Sequence, residues 1–283
     1  MEIMIGKNAS FCFGVGRAVQ GAKELVAQEK KAYCLGELVH NRQVVETLEK
    51  DGMKTIGTLE EATDHTQKVI FRSHGVAKQV YESAKEKGIN YLDLTCPKVL
   101  HLHQLAEKHS QNGAFVILTG SKNHPENIGT ISMVEKGFIL ERPEEVEEAW
   151  QAYLQSGCKQ LALLSQTTYS LEKFNEIKQI LLNKYPDLII ENTICASTKL
   201  RQEETKEIAK QVNKMIVIGG KNSSNTKKLY EIAKAECKAT YLVETAEELN
   251  PTDFRSEDVV GIMAGASTPK ESIYEVEEFL KKI

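Results

Sequence analysis

Cys12, Cys96 and Cys195 divide a chain of 283 residues at intervals of 84 and 99 positions. Each occupies the same local setting: an apolar run ends, the cysteine follows, and a helical pattern opens (KNASFCFGVGRAV, YLDLTCPKVLHLH, LIIENTICASTKL). At such a junction the free N–H groups of a helix start stabilise a thiolate. Three thiolates facing one centre would hold a metal or cluster and leave one coordination position without a protein ligand. Chemistry on a metal-bound substrate requires such an opening. Zinc is one candidate, although structural zinc sites use close pairs such as CxxC and the chain has none. An iron–sulfur cluster is the other: soft thiolates suit it, four are usual, and three would leave one iron open. Cys34, Cys158 and Cys237 lack this setting and read as small hydrophobic residues of the core.

The histidines sort in the same way. His40, His74 and His124 fall in polar segments that close apolar runs (GELVHN, FRSHGV, TGSKNHPE), beside Asn41, Ser73 and Glu126. Three further segments of this kind contribute Thr167 and Thr168 (SQTTYS), Ser223, Ser224 and Asn225 (GGKNSSNT), and Ser267 (GAST). Imidazoles, hydroxyls and an amide together make a cradle for an anion such as phosphate. Ser223–Asn225 also reads as a helix N-cap, and a helix start itself attracts phosphate. The chain has no GxxxxGK[ST] loop and no complete GxGxxG fingerprint, so side chains rather than a nucleotide loop are expected to hold the anion. Glu126 alone would read as a solvated loop residue; next to His124 and the Thr167–Thr168 pair it becomes a candidate proton donor. His65, His101, His103 and His109 are assigned to surface or satisfied core positions.

Positioning such groups takes many short strands that end in loops. The chain supplies them: EIMIG, AYCLGELV, KVIFRSHG, NYLDLTC, AFVILTG, GFIL, LALLSQ, LIIENTIC, MIVIGG, ATYLV and VVGIMAG alternate with helical patterns such as KQVYESAKEKG, SLEKFNEIKQILLNKYP and NTKKLYEIAKAE. Strand–helix alternation predicts an α/β fold with mainly parallel sheets covered on both faces. Ligands of such sheets bind beyond the carboxyl ends of the strands, where the six polar segments lie. The cysteine spacing predicts three similar small units: residues 13–96, 97–194 and 195–283, the last completed by the N-terminal strand within 1–12. A net charge of −4 and a pI of about 6.1 offer no basic face to nucleic acid or membrane. No apolar run reaches membrane-spanning length. The start, MEIMIGKNASFC, carries an acid at position 2 and no long apolar core, unlike a signal peptide, so the expected compartment is the cytoplasm.

Nine segments together resemble one family, the 4-hydroxy-3-methylbut-2-enyl diphosphate reductases of the non-mevalonate isoprenoid route: FCFGVGRA, GELVHN, RSHGV, DLTCP, HPE, SQTT, NTIC with the following ST and RQ, KNSSN and AGAST. They run from residue 11 to residue 268 in the family's order and spacing. Ser10 departs from a usual Gly, and GSKNHPE from a more usual loop before HPE. The resemblance implies a pseudo-threefold trefoil of α/β units around a central 4Fe–4S cluster with Cys12, Cys96 and Cys195 as ligands. It implies that His40, His74, His124, Ser223, Ser224, Asn225 and Ser267 hold the diphosphate of an allylic substrate. Thr167 would bind the substrate hydroxyl, and Glu126 would deliver the proton that lets it leave as water, with His124 beside it. An external ferredoxin or flavodoxin would supply two electrons, giving isopentenyl and dimethylallyl diphosphate. Two other readings stay open: a cluster-dependent dehydratase or condensing enzyme resembling quinolinate synthase, and a metal-free module that binds a phosphorylated ligand.

Overall fold

The computed structural model describes residues 1–283. In chain order the elements are β1 (Glu2–Ile5), α1 (Phe13–Glu29), β2 (Ala32–Leu35), α2 (Arg42–Lys50), β3 (Met53–Ile56), β4 (Val69–Phe71), α3 (Lys78–Glu86), β5 (Tyr91–Asp93), α4 (Pro97–Gln111), β6 (Ala114–Thr119) and α5 (Pro125–Ile131). There follow β7 (Gly137–Leu140), α6 (Val146–Ser156), β8 (Gln160–Ser165), α7 (Leu171–Lys184), β9 (Ile189–Ile190), α8 (Ala196–Ala209), β10 (Lys214–Ile218), α9 (Ser224–Glu236), β11 (Thr240–Val243), β12 (Val259–Ala264) and α10 (Lys270–Leu280). No helix is long and apolar enough to cross a membrane.

The strands form three four-stranded sheets of one topology: β1-β12-β10-β11, β5-β4-β2-β3 and β9-β8-β6-β7. Every neighbouring pair is parallel. The fold is therefore α/β with three similar parallel sheets. Each sheet begins at the edge strand that leads to one of the three cysteines: β1 to Cys12, β5 to Cys96, β9 to Cys195. The N-terminal strand β1 pairs with β12 near the other end of the sequence, Ile3 beside Val260 and Ile5 beside Ile262.

The chain divides into two compact units, one of Met1–Gly16, Val39–Thr47 and Ala196–Ile283, the other of Arg17–Leu38 and Leu48–Cys195. In the first, Met215–Ile218 of β10 are wholly buried, packed with Leu229 and Ala233 of α9 and with Ile273 and Val276 of α10. In the second, alternate side chains of the β6–β8 pair enter different cores. Ile117 and Leu163 pack with Phe174, Ile177 and Leu181 of α7, whereas Val116, Leu118 and Leu164 pack with Leu102 and Ala106 of α4. Strands buried on both faces need apolar residues at every position, which is why these runs were so visible in the sequence. The sheet of β2 and β4 is sealed by Tyr33, Leu35, Val69 and Phe71, and Phe71 stacks on Tyr91 with ring centroids 4.4 Å apart.

Three elements differ from the sequence expectation. Strand β3 has only Met53 and Ile56 buried in a four-residue run, too few for a periodicity to register. The run LIIENTIC leaves the sheet after Ile190, so its second half is loop. Helix α5 occupies the HPE segment that read as loop: Pro125, with its fixed φ, opens it, and Glu126 lies in its first turn.

Candidate active site

The second compact unit assembles a carboxylate, a hydroxyl and two imidazoles. Glu126 is 2% exposed. Its Oε1 accepts the Thr167 backbone N–H at 2.6 Å, and its Oε2 accepts the Thr167 hydroxyl at 2.9 Å. Burial penalises the charged carboxylate and pushes its pKa from 4.5 up to about 7, against the pull of the two Thr167 hydrogen bonds. A side chain with this pKa both holds and releases a proton at neutral pH. His124 caps the same helix: its Nδ1 accepts the Glu126 N–H at 3.2 Å. The His74 ring meets the His124 ring edge-on, centroids 5.6 Å apart. Behind them, Gln166 Oε1 accepts from Asn127 Nδ2 at 3.0 Å and from the Ser121 N–H at 3.1 Å, tying the β6 loop to the β8 loop.

The first unit assembles the hydroxyls and the amide. Ser267 Oγ donates to the His40 carbonyl at 3.0 Å. That carbonyl lies over Gly220, where an added Cβ would come within 2.6 Å of it. Ser223 caps α9 by accepting the Thr226 N–H, and Ser224 opens the helix. Asn225 is buried, and its Nδ2 has no hydrogen-bond partner in the chain. An unpaired buried donor is costly, so its retention points to a ligand that accepts from it.

These residues recur at matching places in the three sheets. His40, His124 and Ser223 are each the fifth residue after the strand that occupies the third position of its sheet (β2, β6, β10). The same loops each begin with a glycine at positive φ: Gly36 at 73°, Gly120 at 150° and Gly219 at 145°. A Cβ on Gly120 would lie 2.3 Å from Asn127 Nδ2, so only glycine lets the chain turn there. His74, Thr168 and Ser267 are each the third residue after the strand in second position (β4, β8, β12). The residue before each of these accepts a cysteine N–H. Cys12 donates to Ala266 at 3.0 Å, Cys96 to Ser73 at 3.0 Å and Cys195 to Thr167 at 2.9 Å. Each cysteine is half-buried, unpaired in any disulfide, and immediately precedes a helix (α1, α4 or α8). The candidate ligands are thus tied by backbone to the loops that carry the candidate substrate donors. No three His, Cys, Asp or Glu side chains are grouped at metal-binding distance.

The family model described as LytB protein matches residues 3–281. The chain belongs to the LytB protein family. A LytB relative from Caldanaerobacter subterraneus subsp. tengcongensis, named 4-hydroxy-3-methylbut-2-enyl diphosphate reductase, is 40% identical over 287 residues, covering 100% of this chain and 96% of the relative. The solved structure of (E)-4-hydroxy-3-methyl-but-2-enyl diphosphate reductase, described as the terminal enzyme of the non-mevalonate pathway, is similar at 39% identity with a TM-score of 0.72, covering 100% of both chains. The reductase structure from Plasmodium falciparum is similar at 29% identity with a TM-score of 0.90, covering 99% of this chain and 87% of that one. As a LytB protein the chain is an enzyme of the oxidoreductase class.

Several residues of this LytB protein carry weight that the sequence reading did not assign them. Gln166 falls inside the SQTTYS segment and Asn127 directly after HPE, but only the fold shows that they brace the loops around Glu126. His103, read as core or surface, is buried in α4, and burial pushes its pKa down to about 4, so it stays neutral. Arg17 and Arg201 hold the backbone close to two of the cysteines.

Proposed function

We propose that this chain catalyses the reductive dehydroxylation of (E)-4-hydroxy-3-methylbut-2-enyl diphosphate to isopentenyl and dimethylallyl diphosphate. The balance is one allylic C–OH cleaved, two electrons and two protons consumed, and one water released. The observation that carries the proposal is Glu126, buried, held by Thr167 and pushed to a pKa of about 7, in a LytB family chain. Cys12, Cys96 and Cys195 would hold a 4Fe–4S cluster, and their chemistry fits: three half-buried thiols outside any disulfide, each directly before a helix, offer the soft sulfur ligands that iron–sulfur clusters take. When bound, the cluster supplies the electrons and an open iron position for the hydroxyl. The electrons come from an external protein donor of the ferredoxin or flavodoxin class.

The chain's own side chains divide the remaining work. Glu126, roughly half protonated at pH 7, gives its proton to the departing hydroxyl, which would otherwise leave as hydroxide. Thr167 keeps that carboxyl in place and offers its Oγ1 to the same oxygen. His124 and His74 would donate to the diphosphate, as would His40, Ser223, Ser224, Asn225 and Ser267. A desolvated diphosphate needs this many donors, because each oxygen left unpaired would cost heavily.

Asn225→Ala should raise KM by about 10- to 100-fold, the worth of one hydrogen bond to a charged group. Thermal stability should hold or rise, because the donor it removes has no partner in the chain. Steady-state kinetics beside a melting curve separate the two. The overall reading is tested by adding the allylic diphosphate to anaerobically reconstituted protein and reduced viologen. Bleaching supports the reaction; none from protein with a verified full cluster rejects it.

A further inference from the structure

We infer that Arg17 and Arg201 are positioning residues, each clasping the backbone just ahead of a candidate cluster-binding cysteine. The inference rests on the reading of Cys12, Cys96 and Cys195 as ligands. Arg17, early in α1, donates from Nη2 to the Thr95 carbonyl at 2.5 Å. Thr95 directly precedes Cys96, whose own N–H donates to Ser73. Thr95 is wholly buried, and its N–H is taken by Asp93 Oδ1 at 2.9 Å, so the peptides on both sides of Thr95 are fixed.

Helix α8 treats the Cys12 segment the same way. Arg201, 4% exposed, donates from Nη2 to the Ser10 carbonyl at 2.6 Å, two residues before Cys12. Its Nη1 is anchored on its own helix by Ser197, through the carbonyl at 3.2 Å and the hydroxyl. One turn on, the Glu204 carboxylate accepts from the Lys7 N–H at 2.6 Å, the Asn8 N–H at 3.0 Å and Asn8 Nδ2 at 2.9 Å. Residues 6–12 make no strand or helix of their own, so these charge-assisted bonds act together with the Gly6 N–H to Ile262, two local turns and the Cys12 N–H to Ala266 to fix their path. The Cys195 segment is tied differently: His109 Nε2 of α4 lies 3.1 Å from Glu191 Oε1, four residues upstream.

A thiol ligand must sit within a few tenths of an ångström of its metal position, and a loop of this length does not hold that by itself. A planar guanidinium with fixed donors suits the task better than a lysine. The clasp makes a residue-specific prediction about thiol reactivity in cluster-free protein, because reactivity follows local opening.

The test is the rate of iodoacetamide modification of each cysteine in cluster-free full-length protein, read by peptide mass spectrometry. Arg17→Gln should speed Cys96 by about tenfold and leave Cys12 and Cys195 unchanged. Arg201→Gln should do the same to Cys12 alone. Because Arg201 is buried, Glu204→Ala provides a second, milder route to the same loop: it should also speed Cys12 and raise amide exchange over residues 6–12. Equal acceleration of all three thiols, or none, overturns the clasp. The measurement contains no cluster, so it decides the clasp by itself. Wild-type protein that takes up no iron on reconstitution would instead overturn the ligand reading on which the clasp's purpose rests.

Discussion

Glu126→Gln should lower kcat by about two to four orders of magnitude, the usual worth of a positioned proton donor, with iron content and KM nearly unchanged. Glutamine keeps the shape and can still accept the Thr167 N–H and meet its hydroxyl, so the α5 and β8 loops stay joined. In the wild type kcat should fall as pH rises through about 7, because the donor form is the protonated one. Stability gives a second readout with a fixed sign. The pKa is raised from 4.5 to about 7 on folding, so the favourable contribution of the neutral carboxyl is full below about pH 4.5 and is lost as pH rises through 7. Glutamine does not titrate. The variant should therefore gain on the wild type between those limits, by on the order of 3 kcal/mol for a shift of this size. Denaturant midpoints at pH 5 and pH 8 measure it. An equal difference at both would mean an ordinary carboxyl, and would remove Glu126 as the proton carrier.

The three cysteines, and the loops that accompany them, were legible because each lies where two periodicities meet. A strand wholly buried in a parallel sheet leaves an unbroken apolar run, as in Met215–Ile218, and the polar residues that end it stand out. The repeated topology was visible only coarsely. The thirds share little sequence, and the equivalence of His40, His124 and Ser223 emerges from their fifth-residue position after matching strands. Strand β3 was missed because half its side chains escape burial. The burial of Glu126 was illegible for a different reason. HPE reads as a polar loop, and the helix that hides the carboxylate is a seven-residue segment held by Pro125 and by the His124 cap. Arg17 and Arg201 likewise act on carbonyls 78 and 191 residues away in sequence, and main-chain acceptors leave no trace in residue type. Local pattern marks the ends of strands; what lies opposite those ends is decided by packing.

The six cysteines should separate into two classes when replaced one at a time. Cys12→Ser, Cys96→Ser and Cys195→Ser are each expected to lose most of the iron taken up on anaerobic reconstitution, against about four atoms per chain in the wild type. Serine keeps the backbone N–H that donates to Ala266, Ser73 or Thr167, so the fold should persist; its oxygen is a hard and weakly acidic ligand where a soft thiolate is needed. Cys34→Ala, Cys158→Ala and Cys237→Ala should keep full iron. Cys34 is wholly buried in β2, and burial pushes its thiol up to about 12, so it is not a thiolate at neutral pH. Cys237 is buried behind α9, with its Sγ turned 3.8 Å from the Ala239 carbonyl. Cys158 packs against the core that contains Tyr153 and Phe174. Iron analysis beside a folded circular dichroism spectrum decides each case. A folded core variant that loses iron, or a serine variant that keeps it all, would break the division. Because Cys195 donates to the same Thr167 that holds Glu126, Cys195→Ser should lose iron while leaving the pH dependence of stability intact. That outcome would show ligand and proton donor to be separable in function although both bond to Thr167, one at its carbonyl and the other at its N–H and hydroxyl.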